Sequence, residues 1–272
     1  MTDGKDTIFM KIMVFDTETV SVSKPYCYNI GYVIYDTDGK KVLVERDFVV
    51  SQVWNNRPLF DTAYYAEKRP KYVSAMRGRQ TEMKKYGHIQ AQMIRDIKEY
   101  GVDGAYAFNS PFDDKVFQFN SDGYGCRNAL DTIPVFDIRG YACKYLMADG
   151  TYQEFCDKNA DIVGADGKTK KFITDSDGYK TTAESFYCYL KGDGSFDEAH
   201  TALADSRIEL EVLIACLEKG AELQTEYQVA RSFPRNSIKT FTLKVDGKVV
   251  EKINYTKKTE RKVADGVVVS LK

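Results

Sequence analysis

No stretch of this 272-residue chain approaches the roughly 20 consecutive apolar residues that a membrane-spanning helix requires, so no membrane partner is expected. Cysteine is sparse. The six residues (27, 126, 143, 156, 188 and 216) form no CxxC and no pair at zinc-ligand spacing, which excludes a zinc ribbon or finger. Their scatter points to reduced thiols in a cytoplasmic protein. The opening segment Met1–Asp6 is polar and acidic, unlike a secretory signal or an Arg-rich transit peptide. There are no heptads and no repeats of fixed period. Histidine occurs only twice, as His88 and His200. None of the ten Asp-Gly dipeptides continues into the spacing of a calcium-binding loop, so they are expected to be turns.

What is present is a chain with 43% hydrophobic and 13% aromatic residues, enough apolar surface for one large core and against global disorder. The formal net charge of −1 conceals an uneven distribution. From Arg231 to Lys272 there are 11 Lys/Arg against 4 Asp/Glu, leaving 28 bases against 36 acids in the remainder. An acidic body with a basic tail is compatible with a polyanionic partner.

Hydrophobic periodicity predicts a buried strand over residues 8–15, then an antiparallel hairpin of residues 28–35 and 41–50 around Asp36-Thr37-Asp38-Gly39. Two helices are expected within 61–85, broken near Pro70. A further helix over 88–100 places Ile89, Met93, Ile94 and Ile97 on one stripe. Residues 102–108 and 134–138 read as short strands, with a helix from Lys115 onward between them. The polar segment 149–182 reads as a β-hairpin insertion, and 181–190 and 200–219 as the last helices of the body. Beyond Phe233-Pro234 the pattern changes to strands over 240–245 and 249–255 around Asp246-Gly247, so residues 1–230 are expected to form the main domain and 231–272 a small β appendage.

Three stretches carry chemistry. In Ile12-Met13-Val14-Phe15-Asp16-Thr17-Glu18-Thr19, strand alternation puts Ile12, Val14, Asp16 and Glu18 on one side. Two carboxylates at the end of a buried face repel each other unless a basic side chain or a divalent cation pairs them, or the strand has reached solvent. After the second short strand comes Asn109-Ser110-Pro111-Phe112-Asp113-Asp114, with two acids where a helix begins; there one of them caps amides and favours the dipole. The third stretch, Phe196-Asp197-Glu198-Ala199-His200-Thr201-Ala202-Leu203-Ala204-Asp205-Ser206-Arg207, sets one of the two histidines five residues before an Asp at the start of an amphipathic helix. Each stretch alone also suits a plain structural role.

In this order, D-x-E on a first strand, N-x-x-F-D after a later strand and H-x4-D near the end of the body resemble the DEDDh branch of the DEDD superfamily of 3′–5′ exonucleases, over roughly Ile8 to Lys219. The resemblance implies an α/β, ribonuclease H-like fold: a mixed five-stranded sheet with helices on both faces. It also implies that Asp16, Glu18, Asp113 and Asp205 hold two Mg2+ or Mn2+ ions and that His200 is the general base. Asp114 is the alternative to Asp113 if the register differs. Thr19 and Phe112 resemble positions that contact the terminal nucleotide, and Asn109, grouped with them at the substrate, is expected to tie the second motif to the first strand. Each equally suits a structural role, and for Phe112 a core role is the favoured one. The implied partner is a nucleic acid with a free 3′ end, single-stranded DNA being favoured, and the implied products are nucleoside 5′-monophosphates. Two other readings stand beside this one: a binding protein that kept the fold without turnover, and an endonuclease or resolvase of the same fold.

Two segments exceed a minimal nuclease domain. Residues 54–79 interleave Tyr64, Tyr65 and Tyr72 with Lys68, a pattern suited either to stacking bases or to covering the sheet. The 149–182 segment carries Lys168, Lys170 and Lys171. If the basic tail contacts phosphates, deleting residues 231–272 is expected to weaken nucleic-acid affinity and flatten its salt dependence while leaving saturated turnover intact. An unchanged salt slope in a binding titration assigns the tail another role.

Overall fold

The computed structural model describes residues 10–229, 233–235, 239–245, 248–255 and 268–271. Three strands open the fold: β1 (Lys11–Thr19), β2 (Cys27–Asp36) and β3 (Lys41–Val50). Ile12, Met13, Val14 and Phe15 are all fully buried, as a central strand covered on both faces requires. The β2–β3 hairpin closes where the Asp36 carboxylate accepts from the Asp38 and Gly39 amides. Ile8 and Phe9, expected at the start of the first strand, lie outside the described residues.

The next elements are α1 (Ser51–Trp54), α2 (Arg57–Phe60), a 3-10 turn (Ala66–Lys68), α3 (Arg69–Arg77), β4 (Glu82–Lys84) and α4 (Tyr86–Tyr100). They are followed by β5 (Gly104–Ala107), α5 (Ser110–Tyr124), β6 (Val135–Asp137) and α6 (Ile138–Tyr145). Helices α7 (Thr151–Lys158), α8 (Ala183–Lys191) and α9 (Ala202–Glu218) follow among the described residues, α7 replacing by helix the first part of the expected β-hairpin insertion of 149–182.

The main sheet has six strands in the order β4-β3-β2-β1-β5-β6. Strands β1, β2 and β3 form an antiparallel meander, while β5 pairs parallel to β1 and β6 parallel to β5. The fold class is thus the expected mixed α/β sheet, with the five expected strands extended at the edge by the three-residue β4, parallel to β3. On one face Met13 and Phe15 pack with Ile89, Met93 and Ile97 of α4 and Val116 and Phe117 of α5. The other face of β1 and β2 lies under α9.

Helix α9 approaches β2 so closely that a Cβ at Gly31 would sit 2.1 Å from the Leu203 backbone nitrogen. Ser206 seals the crossing by donating to the Gly31 carbonyl at 3.1 Å and to the Ala202 carbonyl at 2.7 Å. Two residues before Gly31, Asn29 is wholly buried and uses its full hydrogen-bonding capacity. Its amide nitrogen donates to Asp47 and the Phe48 carbonyl, and its oxygen accepts from the Ala202 amide and the Tyr72 hydroxyl. That one side chain joins β2, β3, α3 and the start of α9.

Several local expectations are revised. Pro70 does not break a helix; it occupies the first turn of α3, where a missing amide costs nothing. Residues 82–84 are strand rather than helix because they pair with the exposed edge of β3. Helix α5 starts at Ser110, not Lys115, with Asn109 in the left-handed conformation (φ 62°) ahead of it. Asp103-Gly104 opens β5 and Asp122-Gly123 lies inside α5, so these two Asp-Gly pairs are not turns.

The chain divides into two compact units, Met1–Phe155 with Thr181–Val229, and Cys156–Lys180 with Ala230–Lys272. The second contains isolated bridges pairing Val163 with Lys170 and Ile173 with Tyr179. Arg235 there pairs with Asp157 at 2.7 Å and with Asp177 at 3.3 Å. Strands β7 (Lys239–Val245), β8 (Lys248–Tyr255) and β9 (Val268–Leu271) form an antiparallel sheet in the order β8-β7-β9. The expected turn residues Asp246 and Gly247 lie outside the described residues. All six cysteines are free thiols. Among the described residues no helix is long and apolar enough to cross a membrane.

Gly31→Ala is expected to destabilise the fold by about 3 kcal/mol, since the added methyl meets backbone on a packed helix. Urea unfolding measures it, and a loss under about 1 kcal/mol means that α9 does not cross β2 this closely.

Candidate active site

The strand face that begins with Ile12 and Val14 continues to Asp16 and Glu18 toward the C-terminal end of β1. Asp16 stands opposite Gly31, and Glu18 opposite Asn29. The two β2 residues that fix the start of α9 are therefore the register partners of the two acids. Asp205, in the first turn of α9, is 8% exposed. His200 precedes the N-cap Thr201 and takes a left-handed backbone conformation (φ 49°).

One ligand atom each from Glu18, His200 and Asp205 lie within 4.8 Å of one another. Asp113 enters from α5 and is 3% exposed, whereas its neighbour Asp114 faces solvent. Asp113 accepts a 2.6 Å hydrogen bond from the Thr17 hydroxyl, so the second stretch is tied directly to β1. Asp16 and Asp113 stand outside the 4.8 Å trio but within electrostatic range of it and of each other.

The electrostatics follow from burial and like charge. Burial pushes the Asp16 carboxyl up to about 7, against a hydrogen bond from the Thr17 amide that lowers it. Burial and then Asp16 raise Glu18 to about 8. Asp205 is raised to about 10 by burial, then by Asp16, Glu198 and Glu18. Asp113 is held well above the usual carboxylate range by burial and Asp16. Each of these carboxyls resists ionising beside the others.

The donor set suits a hard divalent cation: carboxylate oxygens with one imidazole. The Asp205 Oδ1 atom supplies the structural test, because it is buried and has no hydrogen-bond partner. A buried acceptor without a donor is costly, and a cation beside it would satisfy it. The residues present fit Mg2+ or Mn2+.

The surroundings of His200 come from the segment before α4. Tyr65 stacks on the imidazole with ring centroids 4.3 Å apart and planes 13° from parallel. Lys68 Nζ lies 4.4 Å over the Tyr65 ring and donates to the Ala199 carbonyl at 2.7 Å, securing the turn that carries His200. Glu198 Oε2 is 3.8 Å from His200 Nδ1. Burial, then Lys68 and Lys71, push the His200 pKa down to about 4. Of the interleaved aromatics, Tyr72 belongs to the core through Asn29, Tyr65 to the site, and Tyr64 is exposed.

The three supporting residues are placed as follows. Thr19 ends β1 at a register shift opposite Cys27. Phe112 is half-buried against the core cluster. Asn109 does not reach the first strand; its amide donates to Asp137 at 2.9 Å, anchoring the start of α5 to β6.

Sequence reading passed over two acids. Glu209 is 3% exposed and accepts from the Phe108 amide at 3.1 Å, its pKa held high by burial, then by Asp16 and Asp113. Its signal was the spacing: four residues beyond Asp205 on a helix puts it on the same face. Glu198 lies within the third stretch, where nothing in the sequence sets it apart from Asp197.

No family model and no curated protein matches the chain. Among solved structures, crystal structures of E. coli exonuclease I are similar to it. The complex with a dA16 oligonucleotide superposes with a TM-score of 0.43 at 15% identity, covering 75% of this chain and 40% of that one. The complex with a dT13 oligonucleotide gives 0.42 at 13% identity, covering 78% and 41%. The chain thus spans about two fifths of the exonuclease I chains that it matches. At this distance the chemistry of the site has to be argued from its own residues.

A carboxyl whose pKa rises on folding holds its proton more tightly in the folded chain, so its contribution to stability is present at low pH. That contribution is lost as pH climbs from about 4, where unfolded carboxyls ionise, through the folded values of about 7 for Asp16 and about 8 for Glu18. His200, lowered to about 4, acts oppositely below about pH 6.5, one group against several. In EDTA, Tm is expected to fall between about pH 5 and pH 8, and Mn2+ to restore it more at the upper end. Calorimetry checks both, and a flat or rising Tm in EDTA contradicts the crowding.

Proposed function

We propose that this protein is a divalent-metal-dependent 3′–5′ exonuclease that releases nucleoside 5′-monophosphates from a nucleic acid with a free 3′ end. The observation that carries the reading is the meeting of Glu18, His200 and Asp205 within 4.8 Å around a buried, unpartnered Asp205 oxygen. Residues nearly 190 positions apart in sequence supply that trio, and Asp16 and Asp113 add their charge to it.

In this reading Asp16, Glu18, Asp113 and Asp205 hold two Mg2+ or Mn2+ ions. Such ions supply charge neutralisation, activation of a water nucleophile and stabilisation of the leaving oxygen. The chain's own groups do the rest. His200, neutral at pH 7 because its pKa is depressed, accepts the proton of the attacking water. Tyr65 fixes the plane of the imidazole, and Glu198 stands near Nδ1 to hold the imidazolium that forms. The Thr17 hydroxyl orients Asp113, leaving that carboxylate's other oxygen for ligation. Thr19 and Phe112 lie beside these groups in sequence and are assigned to the terminal nucleotide.

Labelled single- and double-stranded DNA and RNA, digested with Mg2+ or Mn2+ and sized, test the reading. Stepwise shortening from the 3′ end with mononucleotide products is expected, reduced to background in Asp16→Ala. Activity that survives this substitution in pure protein rejects it. Binding without hydrolysis assigns the chain to a non-catalytic role, and opening of circular single strands makes it an endonuclease.

A further inference from the structure

Beside the acidic centre lies a second feature that the reaction does not use. Residues 57–79 contain six bases (Arg57, Lys68, Arg69, Lys71, Arg77 and Arg79) against two acids, Asp61 and Glu67. Three of the arginines, 57, 69 and 77, line an open groove of about 610 Å³, with Ser74 in its wall and Glu67 the one acid among its lining residues. The groove adjoins the site through a single turn of chain. In the 3-10 turn Ala66–Lys68, Ala66 and Glu67 line the groove, while Lys68 and the preceding Tyr65 face His200 and Ala199.

The arginines are arranged for an external anion. Arg69 is held in place: its guanidinium stacks 3.9 Å over the Trp54 ring and 4.9 Å from the Phe60 ring, and donates to the Trp54 carbonyl at 3.2 Å. A preorganised guanidinium loses little freedom when it takes a phosphate. Among the described residues Arg57 pairs with the exposed Asp61, at 2.6 Å. Arg77 is exposed and makes no ion pair among the described residues. Physical necessity points the same way. A cluster of carboxylates repels a polyanion, so a strand entering it needs positive charge close by, within the roughly 8–10 Å over which salt leaves attraction intact.

We infer that this groove binds the phosphodiester backbone of a single-stranded nucleic acid a few nucleotides upstream of the 3′ end held in the site. The inference rests on the exonuclease reading and extends it to how the strand is held. Arg57 and Arg77 contact phosphates, Arg69 forms the fixed floor, and Ser74 offers a hydroxyl to a phosphate oxygen. Because the contacts are to backbone, they carry no sequence preference.

The test compares the wild type with R57Q/R77Q, two exposed positions whose replacement leaves the Arg69 packing in place. Binding and kcat/KM are measured for a dinucleotide and for a long single-stranded oligonucleotide over a salt series. In the wild type the long substrate is expected to gain affinity over the dinucleotide. In the variant that gain falls about tenfold, and the log–log salt slope flattens by about 1.4, the value for two lost single-strand phosphate contacts. Titration with inorganic phosphate separates the two sources of the anion. Phosphate binding that the variant loses, with no length-dependent gain in either protein, makes the groove a free-anion site and overturns the proposal. A wild type that shortens oligonucleotides with a length gain and salt slope unaltered in R57Q/R77Q overturns the groove alone. A wild type that neither binds nor shortens any oligonucleotide removes the exonuclease reading, and this inference with it.

Discussion

Repulsion among buried carboxyls is the constraint around which the rest of the fold is arranged. Asp16, Glu18, Asp113, Asp205 and Glu209 come from two helices and a strand; burial pushes each toward its protonated form, and for Glu18, Asp113, Asp205 and Glu209 neighbouring carboxylates add to it. Nothing local would hold such a set together, so the restraint has to come from elsewhere in the structure. Part of it is the apolar packing of β1 between α9 and the α4–α5 layer. Part is specific. Asn29 and Gly31 pin the N-terminus of α9 against β2 at the two positions opposite Glu18 and Asp16, and Thr17 draws Asp113 to β1. Substituting either β2 residue would move Asp205 relative to Asp16 without replacing any of these five carboxyls.

Which parts of this were legible in the sequence follows from the range of the interactions. Period-two alternation, β-branched content and an Asp-Gly turn are local signals, and they located β1 and the β2–β3 hairpin. The apolar stripe Ile89, Met93, Ile97 did the same for α4. Asn29 and Gly31 carry no such signal, because their partner, the start of α9, is more than 170 residues away. In a strand they read as one weak polar residue and one flexible one. Pro70 misled for a related reason: proline stops a helix from inside but starts one at its first turn, and only the position of Arg69 decides between the two. For the site, the three stretches named the acids and the histidine. Glu209 carries no such mark because a glutamate in a helix is usually solvated, and the amide from which it accepts, that of Phe108, lies in the turn after β5, 101 residues earlier.

The geometry around His200 shows a different kind of dependence. A side chain that must leave a helix start and turn back over it needs a backbone reversal, which the left-handed conformation of His200 supplies at some cost for a residue with a Cβ. Lys68 offsets that cost by taking the Ala199 carbonyl, and Tyr65 closes over the ring. Lys68 has a further effect. Its charge lowers both Glu18 and Asp205, opposing their burial, while it also lowers His200. One ammonium therefore favours ionised carboxylates and a neutral imidazole together, the protonation pattern a cation-binding hydrolytic site needs.

The near-zero net charge of the chain is the last point at which bulk composition and structure diverge. A sum over 272 residues hides that the carboxylate-lined centre lies beside the segment 57–79, six bases against two acids, which contains the Tyr65–Lys68 clamp. Charges so segregated do not cancel for a ligand, because at ordinary ionic strength each patch is felt only over about 8–10 Å. A polyanion approaching the acidic centre alone meets repulsion; approaching along α2 and α3 it meets guanidinium groups first and reaches the carboxylates already held. Lys68 lies where the two fields meet, its ammonium over Tyr65 on the site side and its neighbours Glu67 and Arg69 lining the groove. Attraction and repulsion are thus separated by a single turn of chain, and in the proposed reading that separation gives a strand a direction as well as a place to bind.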